Sequence, residues 1–199
     1  MRKFLTLKHW QLFVLLFGIP MIIEFIIVVI VISNRDARAA FIFIPMMTIL
    51  YMAMFFGWFY ALGTNLFKRL PVTVNMSLTR FKIFLFIPVV YLLFFVVFMF
   101  GMVSAISLGG QPSPVIFVFI FPLHFFAMFC IFYCLYFNAK ALKTVELQKA
   151  VTFSDYAGEF FLLWFFPIGV WILQPRINKL FDTTSDDSSD RLFEGYQGQ

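Results

Sequence analysis

Charged residues are scarce in this chain of 199 residues. Asp, Glu, Lys and Arg together make up 13% of it, against 62% for hydrophobic residues. A soluble domain of this length could not cover that much apolar surface with so few charges. The net charge is +5, but the basic residues flank apolar runs and form no single patch. The composition therefore excludes an ordinary soluble protein and gives no indication of nucleic-acid binding.

Cysteine is nearly absent as well. Cys130 and Cys134 are the only two, one helical turn apart, so no disulfide framework exists beyond that pair. The four ligands that a structural zinc ion needs are missing, and we predict that both are small buried core residues. The chain also lacks a glycine-rich phosphate loop, a His-Glu-x-x-His motif and a nucleophile elbow. We therefore predict a non-enzymatic protein with no catalytic residues, no cofactor and no metal.

What the chain has instead is five long apolar runs, each containing one proline. A helix needs about 20 apolar residues to cross a ~30 Å hydrocarbon core, and four runs meet that length. Prolines are tolerated there as kinks, or they break helices around a substrate site. The sequence thus predicts an all-α integral membrane protein, a multi-pass helical bundle of four long spans plus a fifth short apolar helix. The predicted spans are 12–32, 41–62, 83–103, 115–137 and 156–174.

Polar residues between the runs predict where helices begin. Asn75 or Ser77 can cap the third span, and Ser154 or Asp155 can cap the helix that follows residue 153. Residues 139–151 are rich in good helix formers and should extend the fourth span beyond the membrane. We assign residues 1–181 to one transmembrane domain. Residues 182–199 are acidic and lack apolar periodicity, so we predict a disordered tail.

The basic residues predict the orientation. An N-terminus in the cytoplasm places ten of them inside and leaves only Arg35 and Arg38 in the short outer loops. This asymmetry follows the positive-inside rule. The inner residues are Arg2, Lys3, Lys8, Lys68, Arg69, Arg80, Lys82, Lys140, Lys143 and Lys149.

The fifth run allows two interpretations. Phe160–Leu173 has 14 residues, roughly 21 Å of helix, which is short for a span. If it spans, Arg176, Lys179 and Arg191 lie outside, against the charge rule. If it is re-entrant, with a turn near residues 167–169, they stay inside. We predict a span because the run matches the third span, as described next.

Two segments of the chain resemble each other. Phe-Tyr-x-Leu-x-x-Asn closes the second span at residues 59–65 and the fourth at residues 132–138. In the spans that follow, Phe81 precedes Pro88 by seven residues, and Phe160 precedes Pro167 by seven. The match indicates either a parallel repeat of helices 2–3 and 4–5 or a coincidence in a chain rich in Phe and Leu.

Ionisable residues inside a span are expensive and usually face protein. Glu24 and His124 are the two deep ones, and both lie roughly 12–14 Å below the outer edge. We predict that they form an intramembrane polar pair, which would be either a structural clip or a proton-linked site. Arg80 and Glu159 occupy equivalent repeat positions, and we treat them as a candidate interfacial pair; otherwise each extends separately to the headgroups.

These features favour one function and leave one alternative. The first is a non-enzymatic accessory or assembly component of a bacterial inner membrane, in contact with lipid and with a membrane-protein partner or a second copy of itself. The alternative is a small oligomeric transporter or channel that uses Glu24 and His124. Co-purification with a partner would favour the first of these two functions.

Overall fold

The computed structural model describes residues 3–34, 38–111 and 115–197. The described chain is helical, and four of its segments are long and apolar enough to cross a membrane by length and composition. The predicted all-α fold with four long spans is therefore confirmed. The helices are α1 (Lys3–Thr6), α2 (His9–Phe13), a π-helical turn (Val14–Gly18), α3 (Ile19–Asn34), α4 (Arg38–Phe67), α5 (Leu78–Ser107), α6 (Val115–Leu147), α7 (Phe153–Trp164) and α8 (Phe166–Gln197).

Prolines shape the spans in two ways. Pro45, Pro88 and Pro122 lie inside α4, α5 and α6 without ending them. Pro20 instead follows the π-helical turn Val14–Gly18. Since proline has no N–H to donate to the carbonyl four residues earlier, a wider turn just before it relieves the local conflict.

The structure confirms one predicted helix start and corrects another. Ser77 caps α5, and its hydroxyl accepts a hydrogen bond from the Arg80 N–H at 3.3 Å. Helix α7 starts earlier than predicted, because its N-cap is Thr152 and neither Ser154 nor Asp155. Asp155 lies in the first turn, where its carboxylate accepts bonds from the Thr152 N–H and hydroxyl at 2.7 and 2.9 Å. As expected, α6 continues past residue 138 and ends at Leu147.

The fifth apolar run forms a helical hairpin, which corrects the prediction of one span over 156–174. Helix α7 ends at Trp164 and α8 starts at Phe166. Glu159 and Arg176 make an ion pair at 2.6 Å, although 17 residues of continuous helix would separate them by about 25 Å. The chain must therefore double back between them. The physical reason is local: Phe165 leaves the helical conformation with φ −86° and ψ 56°, and Pro167 has no N–H with which to continue the helix.

The hairpin turn is tight because Gly169 has no side chain. A Cβ atom there would overlap the Leu162 carbonyl at the end of α7. The tip also reaches the middle of the first two spans, where the Phe166 ring lies 5.6 Å from Phe17 and 4.9 Å from Trp58. The hairpin thus enters the bundle from one end and returns to that same end.

The packed core lies at the end that holds the hairpin. The core is formed by side chains from the N-terminal segment and from helices α4 to α8. By contrast, only 17% of the residues in the most apolar 18-residue stretch of the first span are buried, and the same holds for the third span. One half of the bundle is therefore built like a domain core, and the other half presents separate helices. The largest fully buried side chains include Trp58, Phe59, Phe81, Phe137, Leu142, Leu163 and Leu173.

The two halves of the suggested repeat diverge: α5 is one helix of 30 residues, whereas the matching segment is broken between α7 and α8. Helix α8 extends to Gln197. The domain boundary at residue 181 and the disordered tail stay predictions.

Candidate functional site

The structure does not bring Glu24 and His124 together. Glu24 lies on the exposed face of α3, and within the described ranges no ion pair or hydrogen bond joins it to His124. Equal depth placed both side chains at one level of the membrane, but depth says nothing about which face of a helix a side chain occupies. The prediction that Glu24 and His124 form a hydrogen-bonded pair is therefore wrong for these two side chains.

His124 has a different partner. Its Nδ1 lies 2.9 Å from the hydroxyl of Tyr91, and this hydrogen bond joins α6 to α5. Tyr91 is buried, whereas His124 is exposed at the surface of the bundle. Sequence reasoning considered only ionisable partners for the histidine and missed this neutral hydroxyl group.

Arg80 and Glu159 do not pair either. Arg80 is exposed near the start of α5, while Glu159 is buried at 5% exposure and bonded to Lys143 and Arg176. The repeat positions put these two residues at the same end of the molecule. Glu159 lies on α7, and its ion pairs are instead with Lys143 of α6 and Arg176 of α8.

Glu159 belongs to a four-residue cluster at the base of the hairpin, formed with Lys143, Glu146 and Arg176. Arg176 makes two bonds to the Glu146 carboxylate, with Nε to Oε1 at 2.8 Å and Nη2 to Oε2 at 2.5 Å. Its Nη2 also donates to Glu159 Oε1 at 2.6 Å, and Lys143 donates to the same oxygen at 3.1 Å. The cluster ties α6, α7 and α8 together.

Electrostatics in this cluster favour the charged forms. Burial acts to raise the pKa of Glu159, but hydrogen bonds from Arg176 and Lys143 outweigh it, so the pKa lies below its usual value. The hydrogen bonds from Arg176 to Glu146 and Glu159 raise the pKa of the guanidinium against the opposing effect of burial. Two acids and two bases thus neutralise each other, which is the arrangement of a structural clamp and leaves no uncompensated base there.

A second polar junction fixes the N-terminal segment on α8. The Gln174 amide nitrogen donates to the carbonyls of Phe4 and Leu7 at 3.1 and 3.0 Å, and its oxygen accepts from the Trp58 indole at 3.4 Å. Asn178 donates to the same Leu7 carbonyl at 3.1 Å. Sequence reasoning missed this junction, although the pair Gln174 and Asn178 at helical spacing was a readable signal.

Asn138 is a buried polar residue between α4 and α6. It lies where the predicted fourth span leaves the membrane, inside the continuous helix α6, and it is fully buried. Its amide atoms make no hydrogen bond within the described chain, and its Oδ1 faces Gly63 of α4. Asn65, its counterpart in the suggested repeat, bonds instead to the Ala61 carbonyl of its own helix at 2.7 Å.

Comparisons with known proteins add no identity: no family model matches the chain, and neither a curated protein nor a solved structure is similar to it.

Proposed function

We propose that this chain is a non-enzymatic assembly component of a membrane, most simply a bacterial inner membrane, and that it binds a partner through the exposed face of α3. The observation that carries this proposal is Glu24. Its carboxyl group lies within the first span, on an exposed face, with no ion pair in the described chain. A charge that faces lipid costs several kcal/mol, so such a residue usually faces protein.

The surroundings of Glu24 support a helix as its partner. Met21 and Val28 lie one turn before and after it on the same face, and they are 67% and 49% exposed. A second membrane helix that packs on this stripe could donate a hydrogen bond to the carboxyl group and cover the two apolar side chains. That helix belongs to another protein or to a second copy of this chain.

The charge distribution supports an N-terminus in the cytoplasm. The N-terminal segment packs on α8 through Gln174, and α8 is clamped to the end of α6 through Arg176. Arg176 therefore lies at the end that already holds the other inner basic residues, Lys140 and Lys143 among them. The re-entrant hairpin removes the one conflict with the positive-inside rule.

The transporter alternative has less support. It depended on a polar site made by Glu24 and His124, and the histidine is bonded to Tyr91. An assembly role needs Glu24 alone.

A photoreactive amino acid at Val28 tests the proposal in living cells. We expect a discrete protein adduct at Val28 and none at Val97, an equally apolar control on α5 that is 72% exposed. Glu24→Leu should abolish the adduct, whereas Glu24→Gln should retain it because an amide still forms hydrogen bonds. An adduct of twice the mass of the chain identifies a second copy. Adducts with lipid alone at both positions, or an adduct unchanged in Glu24→Leu, would contradict the proposal.

A further inference from the structure

Two apolar grooves run beside α5 and meet on its exposed face. The first, of about 420 Å³, lies between α4 and α5 and includes Tyr60 and Lys82. The second, of about 480 Å³, lies between α5 and α6 and extends to Phe94. Phe86 and Ile87 line both grooves, so the two form one continuous apolar surface.

The length of this surface fits one leaflet of a bilayer. From Lys82 to Phe94 the helix rises 12 residues, or about 18 Å. Half of a ~30 Å hydrocarbon core is about 15 Å. An acyl chain that starts at the level of Lys82 would therefore reach the bilayer midplane near the end of the second groove.

Lys82 places a positive charge without an acidic partner in the described chain at the start of the groove. The Lys82 ammonium lies 5.9 Å from the centre of the Tyr60 ring and has no ion pair among the described residues. The sequence contains no Asp or Glu between Asp36 and Glu146. Glu146 itself is bonded to Arg176 in the clamp. No carboxylate of α4, α5 or the loop between them can neutralise Lys82.

We propose that this surface binds an anionic phospholipid of the leaflet on the Lys82 side, with the headgroup phosphate at Lys82 and an acyl chain in the groove. Lys82 and Tyr60 supply the polar groups at the headgroup level, and Leu85, Phe86 and Val89 line the path of the chain. A lysine stem reaches along apolar surface while its ammonium stays at the headgroups. The inference rests on the membrane location alone and not on the partner proposed for Glu24.

Native mass spectrometry of the purified full chain tests this inference. The protein is released from detergent that contains equal amounts of phosphatidylglycerol and phosphatidylcholine with the same acyl chains. We expect the wild-type protein to retain phosphatidylglycerol preferentially. Lys82→Gln should lower that preference about fivefold, the effect of one basic residue near an anionic membrane surface.

Two controls separate this site from general charge and from misfolding. Lys149→Gln removes the same charge from an exposed position after α6 and should keep the preference. Lys82→Arg retains the positive charge, so this variant should also retain the preference for phosphatidylglycerol. Equal retention of the two lipids by the wild-type protein would overturn the proposal, and so would a second copy of the chain bound in place of lipid. An equal loss of preference in Lys149→Gln and Lys82→Gln would overturn it as well.

Discussion

At the scale of single residues, the packing depends on a few positions where a small side chain is required. Gly63 of α4 faces both Phe81 of α5 and Asn138 of α6, so three helices meet at this glycine. The Phe81 ring stacks on Phe137 with 4.4 Å between ring centres, which holds it against the glycine. The close approach of α4 to its neighbours therefore requires a residue without a side chain at position 63.

We expect Gly63→Ala to destabilise the protein by about 1–3 kcal/mol, the usual effect of overpacking. A Cβ atom at position 63 would lie 2.5 Å from the Phe81 ring and 2.8 Å from Asn138 Oδ1. Gly101→Ala is the matched control, since a Cβ there has no neighbour within 4 Å. Alanine is the better helix former by about 1 kcal/mol, so the control should be neutral or stabilising. Thermal unfolding in detergent measures both, and equal midpoints would contradict the packing assigned to Gly63.

At the scale of elements, the sequence predicted the four long helices, which follow from composition alone. It did not predict the hairpin of α7 and α8, which depends on contacts between residues far apart in the chain. Runs of about 20 apolar residues define the four long spans whatever surrounds them. The fifth run was too short for that criterion, and its match to α5 suggested a span. The outcome depended on Gly169, which allows the tight turn, and on Arg176, which pairs with Glu159 only after the chain has turned back.

In the candidate site, too, the sequence identified the polar residues but not the contacts that they make. Glu24 and His124 were recognisable as deep polar residues from the sequence, because any charge within an apolar run is conspicuous. Their partners were not predictable, since the side-chain faces depend on the rotation and packing of each helix. The Tyr91 hydroxyl illustrates this, because a tyrosine within an aromatic-rich span gives no signal in the sequence that it will bond a histidine 33 residues away.

The ion-pair cluster makes the stability of the hairpin depend on pH. Hydrogen bonds from Arg176 and Lys143 hold the pKa of Glu159 in the folded protein below its usual range, so its contribution to stability is fully present above the pKa that the group has in the unfolded chain. That contribution is lost as the pH falls through the lowered pKa. Arg176→Gln removes hydrogen bonds that hold this pKa down, so the pKa values of Glu159 in the folded and the unfolded protein come closer together. We therefore expect the variant to lose less stability between pH 7 and pH 3 than the wild-type protein.

Arg176→Gln should also lower the free energy of unfolding at pH 7 by about 1–3 kcal/mol. This is less than for a fully buried pair because the Arg176 side chain is 32% exposed. Circular dichroism during denaturation in detergent, from pH 7 to pH 3, gives both quantities. The control Lys68→Gln removes an exposed charge at the end of α4 and should leave the pH profile unchanged. If the two variants had identical profiles, the clamp would not hold the hairpin.

At the scale of the whole molecule, the bundle has two unlike halves. The half with the hairpin is closed by a common core, the Gln174 junction and the ion-pair cluster, and it carries most of the basic residues. The other half presents exposed helices, with Glu24 on α3. The exposed helix surfaces of the second half are where the proposed partner and the proposed lipid would bind, while the closed half holds the bundle together.

This arrangement predicts that the C-terminal part of α8, which includes Ser188, lies on the same side of the membrane as the loop after α6, because the hairpin returns the chain to its starting side. Single cysteines introduced by Gly110→Cys, Lys149→Cys and Ser188→Cys test this with an impermeant thiol reagent. The background carries Cys130→Ala and Cys134→Ala, two changes at buried positions. We expect labelling at position 110 in intact cells, and labelling at 149 and 188 only after the membrane is permeabilised. Labelling at 188 in intact cells, with 149 still protected, would mean that the fifth run crosses the membrane after all.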